Sequence, residues 1–166
     1  MGKIIVGVMG AGSATSQDWE LAYQLGNAIA KNNWVLLTGG RKVGVMDAAS
    51  RGAKANDGLV VGILPNDSTL AMSDAVDIPI VTDMGNARNS INVLSSDVVV
   101  ACGMGLGTAS EVALALKNRK PVILLNQTKL TQQFFASLTT ENLFYARTVE
   151  QAISQIAEIL GRLRLQ

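Results

Sequence analysis

Residues 97–111 read DVVVACGMGLGTASE. An apolar run, Val98 to Cys102, leads into glycines at every second position, Gly103, Gly105 and Gly107. A helical pattern, TASEVALALKNR, follows over 108–119. Buried strand, glycine turn, then helix is the repeating unit of a parallel α/β sheet. Its turn lies at the carboxyl end of the strand, where such sheets bind ligands. Thr108 and Glu111 have capping-box spacing, in which the two side chains satisfy backbone N–H groups at the helix start. Glu111 has a second reading, as a carboxylate facing a ligand.

Working outward, the same alternation covers most of the chain. KIIVGVM (3–9) reads as a buried strand and SQDWELAYQLGNAIAKN (16–32) as an amphipathic helix, with Trp19, Ala22, Tyr23 and Gly26 near one face and Leu25 and Ile29 beside it. WVLLT (34–38) is a second strand and GVMDAASRGAKAN (44–56) a helix with a small-residue face. Strands are expected at 58–64, 78–81, 97–102 and 121–126, and helices at 87–96, 130–138 and 149–163. Thr148 and Gln151 are spaced to cap the last helix. Residues 65–76 form the longest irregular connection, a candidate mobile loop. The expectation is one Rossmann-like domain over 1–166, with a mainly parallel, doubly wound sheet and helices on both faces.

Composition narrows the chemistry. The chain has 166 residues, 48% hydrophobic and 16% charged, which suits central strands buried on both faces. Its net charge of +1 gives no electrostatic case for nucleic acid. It contains no histidine, so Ser-His-Asp triads, Cys-His pairs and His-ligated metals are all excluded. One cysteine, Cys102, allows no internal disulfide and no CxxC pair, and fits a reducing cytoplasm. Cys102 itself reads as a small core hydrophobe, with direct contact to a bound metal as the other reading. Trp19, Trp34 and the methionines read as core or interface. No apolar run approaches the ~20 residues of a membrane span, and the N-terminus reads as a first strand rather than a signal peptide. No metal site is expected.

Three glycine-bearing loops follow strands and should gather at one sheet edge. GAGSAT (10–15) supplies Gly10, Gly12 and Ser13; TGGRKVG (38–44) supplies Gly39, Gly40 and Arg41, with Lys42 beside them. The third supplies Gly103, Gly105, Leu106, Gly107 and Thr108. Glycine lets a backbone approach a ligand closely, and the helix that follows adds its positive end, so a phosphate-bearing ligand is expected. Ser13 and Thr15 read as caps of the first helix, as anion contacts, or both. Arg88 stands at a helix start after a strand, placed to grip phosphate in a bidentate fork. Asn86 and Asn89 beside it read as helix caps or as ligand contacts. The dinucleotide fingerprint is missing, because position 15 is threonine and no acidic residue ends the second strand; no P-loop occurs.

GGRKVGVMDAASRGA, NARNSINVLSSD and GMGLGTASE together resemble the Lonely Guy (LOG)-like superfamily, over about residues 3–126. Its enzymes carry GGxGTxxE and hydrolyse cytokinin riboside monophosphates to free base and ribose phosphate. Gly105, Gly107, Thr108 and Glu111 match that motif, while Met104 stands where its first glycine would be. Arg88 and Glu111 match the arginine and glutamate that those enzymes pair for catalysis. Around Arg88 the enzymes read Met-His-Glu-Arg-Lys; here Ala87 and Asn89 replace the glutamate and lysine. Within the superfamily, ARN followed by SSDVVVACGMGLGTASEVALAL is similar to the molybdenum cofactor carrier proteins. That resemblance implies a non-enzymatic carrier or storage protein. Its ligand would be molybdenum cofactor, a molybdopterin with a terminal phosphate, and its partners molybdoenzymes or cofactor-synthesis proteins. It also implies a homo-oligomer, dimer or tetramer. A nucleoside monophosphate phosphoribohydrolase using Arg88 and Glu111 is the alternative, and a nucleotide-sensing or DNA-processing relative a third reading.

Overall fold

The computed structural model describes residues 2–163; Met1 and residues 164–166, the ends of the span read as one domain, lie outside the described residues. Strands β1 (Ile5–Gly10), β2 (Val35–Thr38), β3 (Val60–Leu64), β4 (Ile78–Val81), β5 (Val98–Cys102), β6 (Val122–Leu125) and β7 (Leu143–Ala146) form one sheet in the order β4-β3-β2-β1-β5-β6-β7. Every pairing is parallel. The chain adds strands in one direction from β1 to β4, then returns to the other side of β1 for β5. The order therefore reverses between β1 and β5, and a crevice opens there beyond the strand ends.

Helices α1 (Ser16–Lys31), α2 (Gly44–Lys54), α3 (Asn89–Leu94), α4 (Leu106–Lys117), α5 (Lys129–Leu138) and α6 (Val149–Leu163) cover both faces. Strand residues alternate between the two layers, as a period of two requires. Val98, Val100 and Cys102 pack with Leu25 and Ile29 of α1, Val45 of α2 and Ile156 of α6. Val99 and Ala101 pack with Val93 of α3, Val112 of α4 and Phe135 of α5. The doubly wound architecture is as expected.

Several boundaries and details differ. The helix expected over 87–96 is a 3-10 turn, Gly85–Arg88, continued by α3. Strand β7 has no counterpart in the sequence reading; its four residues pair with β6 from Val122↔Leu143 to Leu125↔Ala146. Trp19 lies at the surface, 37% exposed and stacked on Tyr23, rather than in the core. The 65–76 connection is tied down at its far end: Arg41 bridges Met72, Lys42 N–H donates to Ala71 O, and Ser73 N–H donates to Gly40 O at 2.9 Å. At the last helix Thr148 Oγ1 accepts from Gln151 N–H, and Gln151 Oε1 in return accepts from Arg147 N–H.

Candidate functional site

A cleft of about 220 Å³ lies at the β1/β5 reversal. Its first wall follows β1: Gly10, Ala11 and Gly12 line it, above Val8 and Met9. A Cβ at Gly10 would stand 2.3 Å from Cys102 O and 2.4 Å from Val45 Cγ1, so β1, β5 and α2 meet there at glycine distance. The second wall is Gly39 and Arg41 with Met46 of α2. The third is the start of α4, Gly105 to Thr108, together with Glu111.

Asn86, Arg88 and Asn89 close the cleft, and the topology explains why. The connection from β4 must cross the sheet edge to reach β5. Its first residues are pinned to the end of β3: Thr82 Oγ1 donates to Leu64 O, and Gly85 N–H donates to Pro65 O. The 3-10 turn then carries Arg88 inward. A Cβ at Gly39 would meet both terminal nitrogens of Arg88, at 2.5 and 2.7 Å, so the end of the guanidinium occupies the space that a side chain there would need.

The wall beyond Arg88 holds buried polar groups. Arg88 is 8% exposed and its Nε has no partner among the described residues. Burial pulls its pKa down, Glu111 opposes that, and Arg41 adds to the lowering. Glu111 is 7% exposed; burial pushes its carboxyl up, while Asn92 and Arg88 pull it back. No ion pair within 4.0 Å joins Arg88 to Glu111 among the described residues. Thr108 is buried and its Oγ1 has no partner among the described residues.

The capping box expected from Thr108 and Glu111 does not form. Gly105 is the N-cap of α4, in extended backbone, and no side chain among the described residues caps the helix start. The glycines let the helix start at Leu106, which moves Glu111 into the second turn, out of reach of the terminal amides. Glu111 Oε1 instead accepts from Asn92 Nδ2 of α3 at 2.8 Å. The first intrahelical bond runs from Ala109 N–H to Gly105 O. The amides of Leu106, Gly107 and Thr108 therefore lack helical acceptors, at the positive end of the dipole.

Of the residues singled out in the sequence, Gly10, Gly12, Gly39, Arg41, Asn86, Arg88, Asn89, Gly105, Leu106, Gly107, Thr108 and Glu111 line the cleft. Ser13 is exposed outside it, and Thr15 alone caps α1, accepting from Asp18 N–H. Gly40 is outside too, its N–H held by Thr38 Oγ1 at 3.0 Å. Gly103 turns toward Asp18 of α1. Lys42 pairs with Asp74 away from the cleft. Neither the Asn86 nor the Asn89 side chain caps a described helix start; Asn89 ends the 3-10 turn through its backbone N–H, and its Nδ2 donates to Ser110 Oγ at 2.8 Å. Cys102 is fully buried, its Sγ directed at Asp18 O and its thiol pushed up to about 12 by burial, so it faces the core and not the cleft. The sequence reading missed Val8, Met9, Ala11 and Met46 in the lining, and Asn92 behind Glu111. Asn92 was findable, since it stands four residues after Arg88 on a helical pattern.

No cluster of three metal-ligating side chains occurs among the described residues. No described helix is long and apolar enough to cross a membrane.

The molybdenum cofactor binding protein of the phototrophic bacterium Rippkaea orientalis has a similar structure, at TM-score 0.95 and 60% identity over 96% of this chain and 99% of that one. The molybdenum cofactor carrier protein of Chlamydomonas reinhardtii superposes at TM-score 0.92, with 49% identity over 96% of this chain and 99% of that one. A cytokinin riboside 5'-monophosphate phosphoribohydrolase of Rhodococcoides fascians is 27% identical over 159 residues, 82% of this chain and 80% of its own. Residues 3–153 match the SLOG cluster4 family, a span that takes in the three glycine loops, Arg88 and Glu111 alike. The chain belongs to the SLOG cluster4 family.

Proposed function

We propose that this protein binds molybdenum cofactor and acts as its carrier or storage protein. The observation that carries the reading is the 60% identity to a molybdenum cofactor binding protein across nearly the whole of both chains. The cleft suits the ligand's chemistry. Free amides at the start of α4 and the guanidinium of Arg88 offer donors to a phosphate, charge-assisted and at a helix N-terminus. Thr108 Oγ1 and Arg88 Nε, both buried without partners among the described residues, are groups that a bound ligand would satisfy. At about 220 Å³ the cleft is smaller than the ~300–1,000 Å³ of pockets that enclose a whole ligand, so the cofactor would project from it. A projecting cofactor suits transfer to a molybdoenzyme or from a synthesis protein. The reading places one folded unit, 1–166, in the cytoplasm, self-associated as a dimer or tetramer; sedimentation velocity tests the last point, and a monomer contradicts it.

The test is retention. Purified protein is incubated anaerobically with molybdenum cofactor and desalted, and the protein fraction is assayed for molybdenum and for oxidised-pterin fluorescence. Stoichiometric retention is expected, weakened about 10- to 100-fold in affinity by Arg88→Ala, the range of a hydrogen bond to a charged group. No retention removes the carrier reading. A second reading has its own observation: Arg88 and Glu111 both line the cleft, as a phosphoribohydrolase needs. It requires release of a free base from a nucleoside monophosphate, abolished by Glu111→Gln.

A further inference from the structure

Asn92 is 0% exposed, on the inner side of α3, and does not line the cleft. Its Nδ2 spans from α3 to α4 to reach Glu111 Oε1 at 2.8 Å. Its Oδ1 is buried with no partner among the described residues. An amide buried with one end unsatisfied costs free energy that an apolar side chain of the same shape avoids. What the amide does at this position is grip one oxygen of a carboxylate. Asn92 also follows Arg88 by one helical turn, so a single short segment delivers both the cation and the amide that flank Glu111. Glu111 Oε2 makes no hydrogen bond with any described residue, which leaves one carboxylate edge held and the other free.

We propose that Asn92 is the positioning residue of the cleft: its amide locks Oε1 of Glu111 and so presents Oε2 to the ligand. The proposal rests on the reading of this cleft as the ligand site, but its test needs no ligand. Without Asn92 the side chain of Glu111 loses its only hydrogen bond to a described residue, and the group that favours its ionised form is gone. Burial then acts with only Arg88 opposing it.

The experiment is a carbon-13 NMR titration of the ligand-free chain labelled at glutamate. The sequence has five glutamates, and Glu111→Gln identifies the resonance that belongs to Glu111. In Asn92→Leu the Glu111 titration is expected to move upward, by the roughly tenfold change in proton affinity that one charge-assisted hydrogen bond brings. Asn92→Ala should move it the same way by less, because water enters the space. Circular dichroism establishes which variants fold; if Asn92→Leu does not, Asn92→Ala decides. A folded variant in which Glu111 titrates as it does in the wild type overturns the proposal. A wild-type chain that retains no molybdenum cofactor, with the Asn92 shift present, removes the carrier reading and leaves the positioning role standing.

Discussion

Gly10 of the first glycine loop differs from Gly105 and Gly107 of the third in why it is glycine. At Gly10 a Cβ would run into Cys102 O at 2.3 Å and Val45 at 2.4 Å. Those atoms belong to β5 and α2, so a methyl there forces a backbone carbonyl and a packed side chain to shift. At Gly107 a Cβ would meet nothing within 4 Å, and at Gly105 only Ala11 Cβ at 3.5 Å. Neither has positive φ that would exclude other residues. Gly10 is thus answered by the protein itself. Gly105 and Gly107 leave room beside amides without helical acceptors, room that no described residue fills. Space kept next to unpaired N–H groups at a helix start is space for an anion.

Substitution separates the two. Gly10→Ala is expected to destabilise the fold by about 1–3 kcal/mol, the cost of forcing a methyl into a close-packed site. A shift in the urea midpoint at unchanged slope would show it. An unchanged midpoint would mean that β5 and α2 yield easily, and the contrast would fail. Gly107→Ala should do the reverse. Alanine is the better helix former, so stability is kept or raised, while molybdenum cofactor retention falls as the methyl pushes the ligand from the amides. Full retention in Gly107→Ala would place the ligand elsewhere in the cleft and take the third loop out of the site.

The same contrast explains what could be read in the sequence. Alternating β-branched runs and amphipathic segments give the order of elements, because burial on both sheet faces writes itself into composition. The gathering of three loops at one edge follows from a parallel sheet. Strand β7 escaped because LFYA is short and lies between turn residues and a helix; its identity depends on β6 being there to pair with. The capping box misled for a related reason. Thr108-x-x-Glu111 has the spacing, but spacing says nothing of where the helix begins, and Gly105 begins it three residues earlier. Ser13, Gly40 and Gly103 share their loops with lining residues yet turn away, which depends on each residue's own backbone and neighbours.

Glu111 supplies the smallest effect and the most direct view of the buried polar wall. Burial is the largest influence on its carboxyl and raises it above the ordinary value of 4.5, with Asn92 and Arg88 opposing. Between the ordinary value and the raised one, the folded chain holds a proton that the unfolded chain has released. Folding is then weakened as pH rises through that window, and acidification below the ordinary value removes the penalty. Glu111→Gln has no such proton to lose. The variant should therefore gain stability over the wild type as pH rises from about 4 toward neutrality, where the unfolded carboxyl is fully ionised. Urea midpoints of the two chains across that range measure it. A difference that does not vary with pH would mean that Asn92 and Arg88 offset the burial in full. A difference of opposite slope would mean that they exceed it, and that this wall, like the packing at Gly10, is completed by the protein without a ligand.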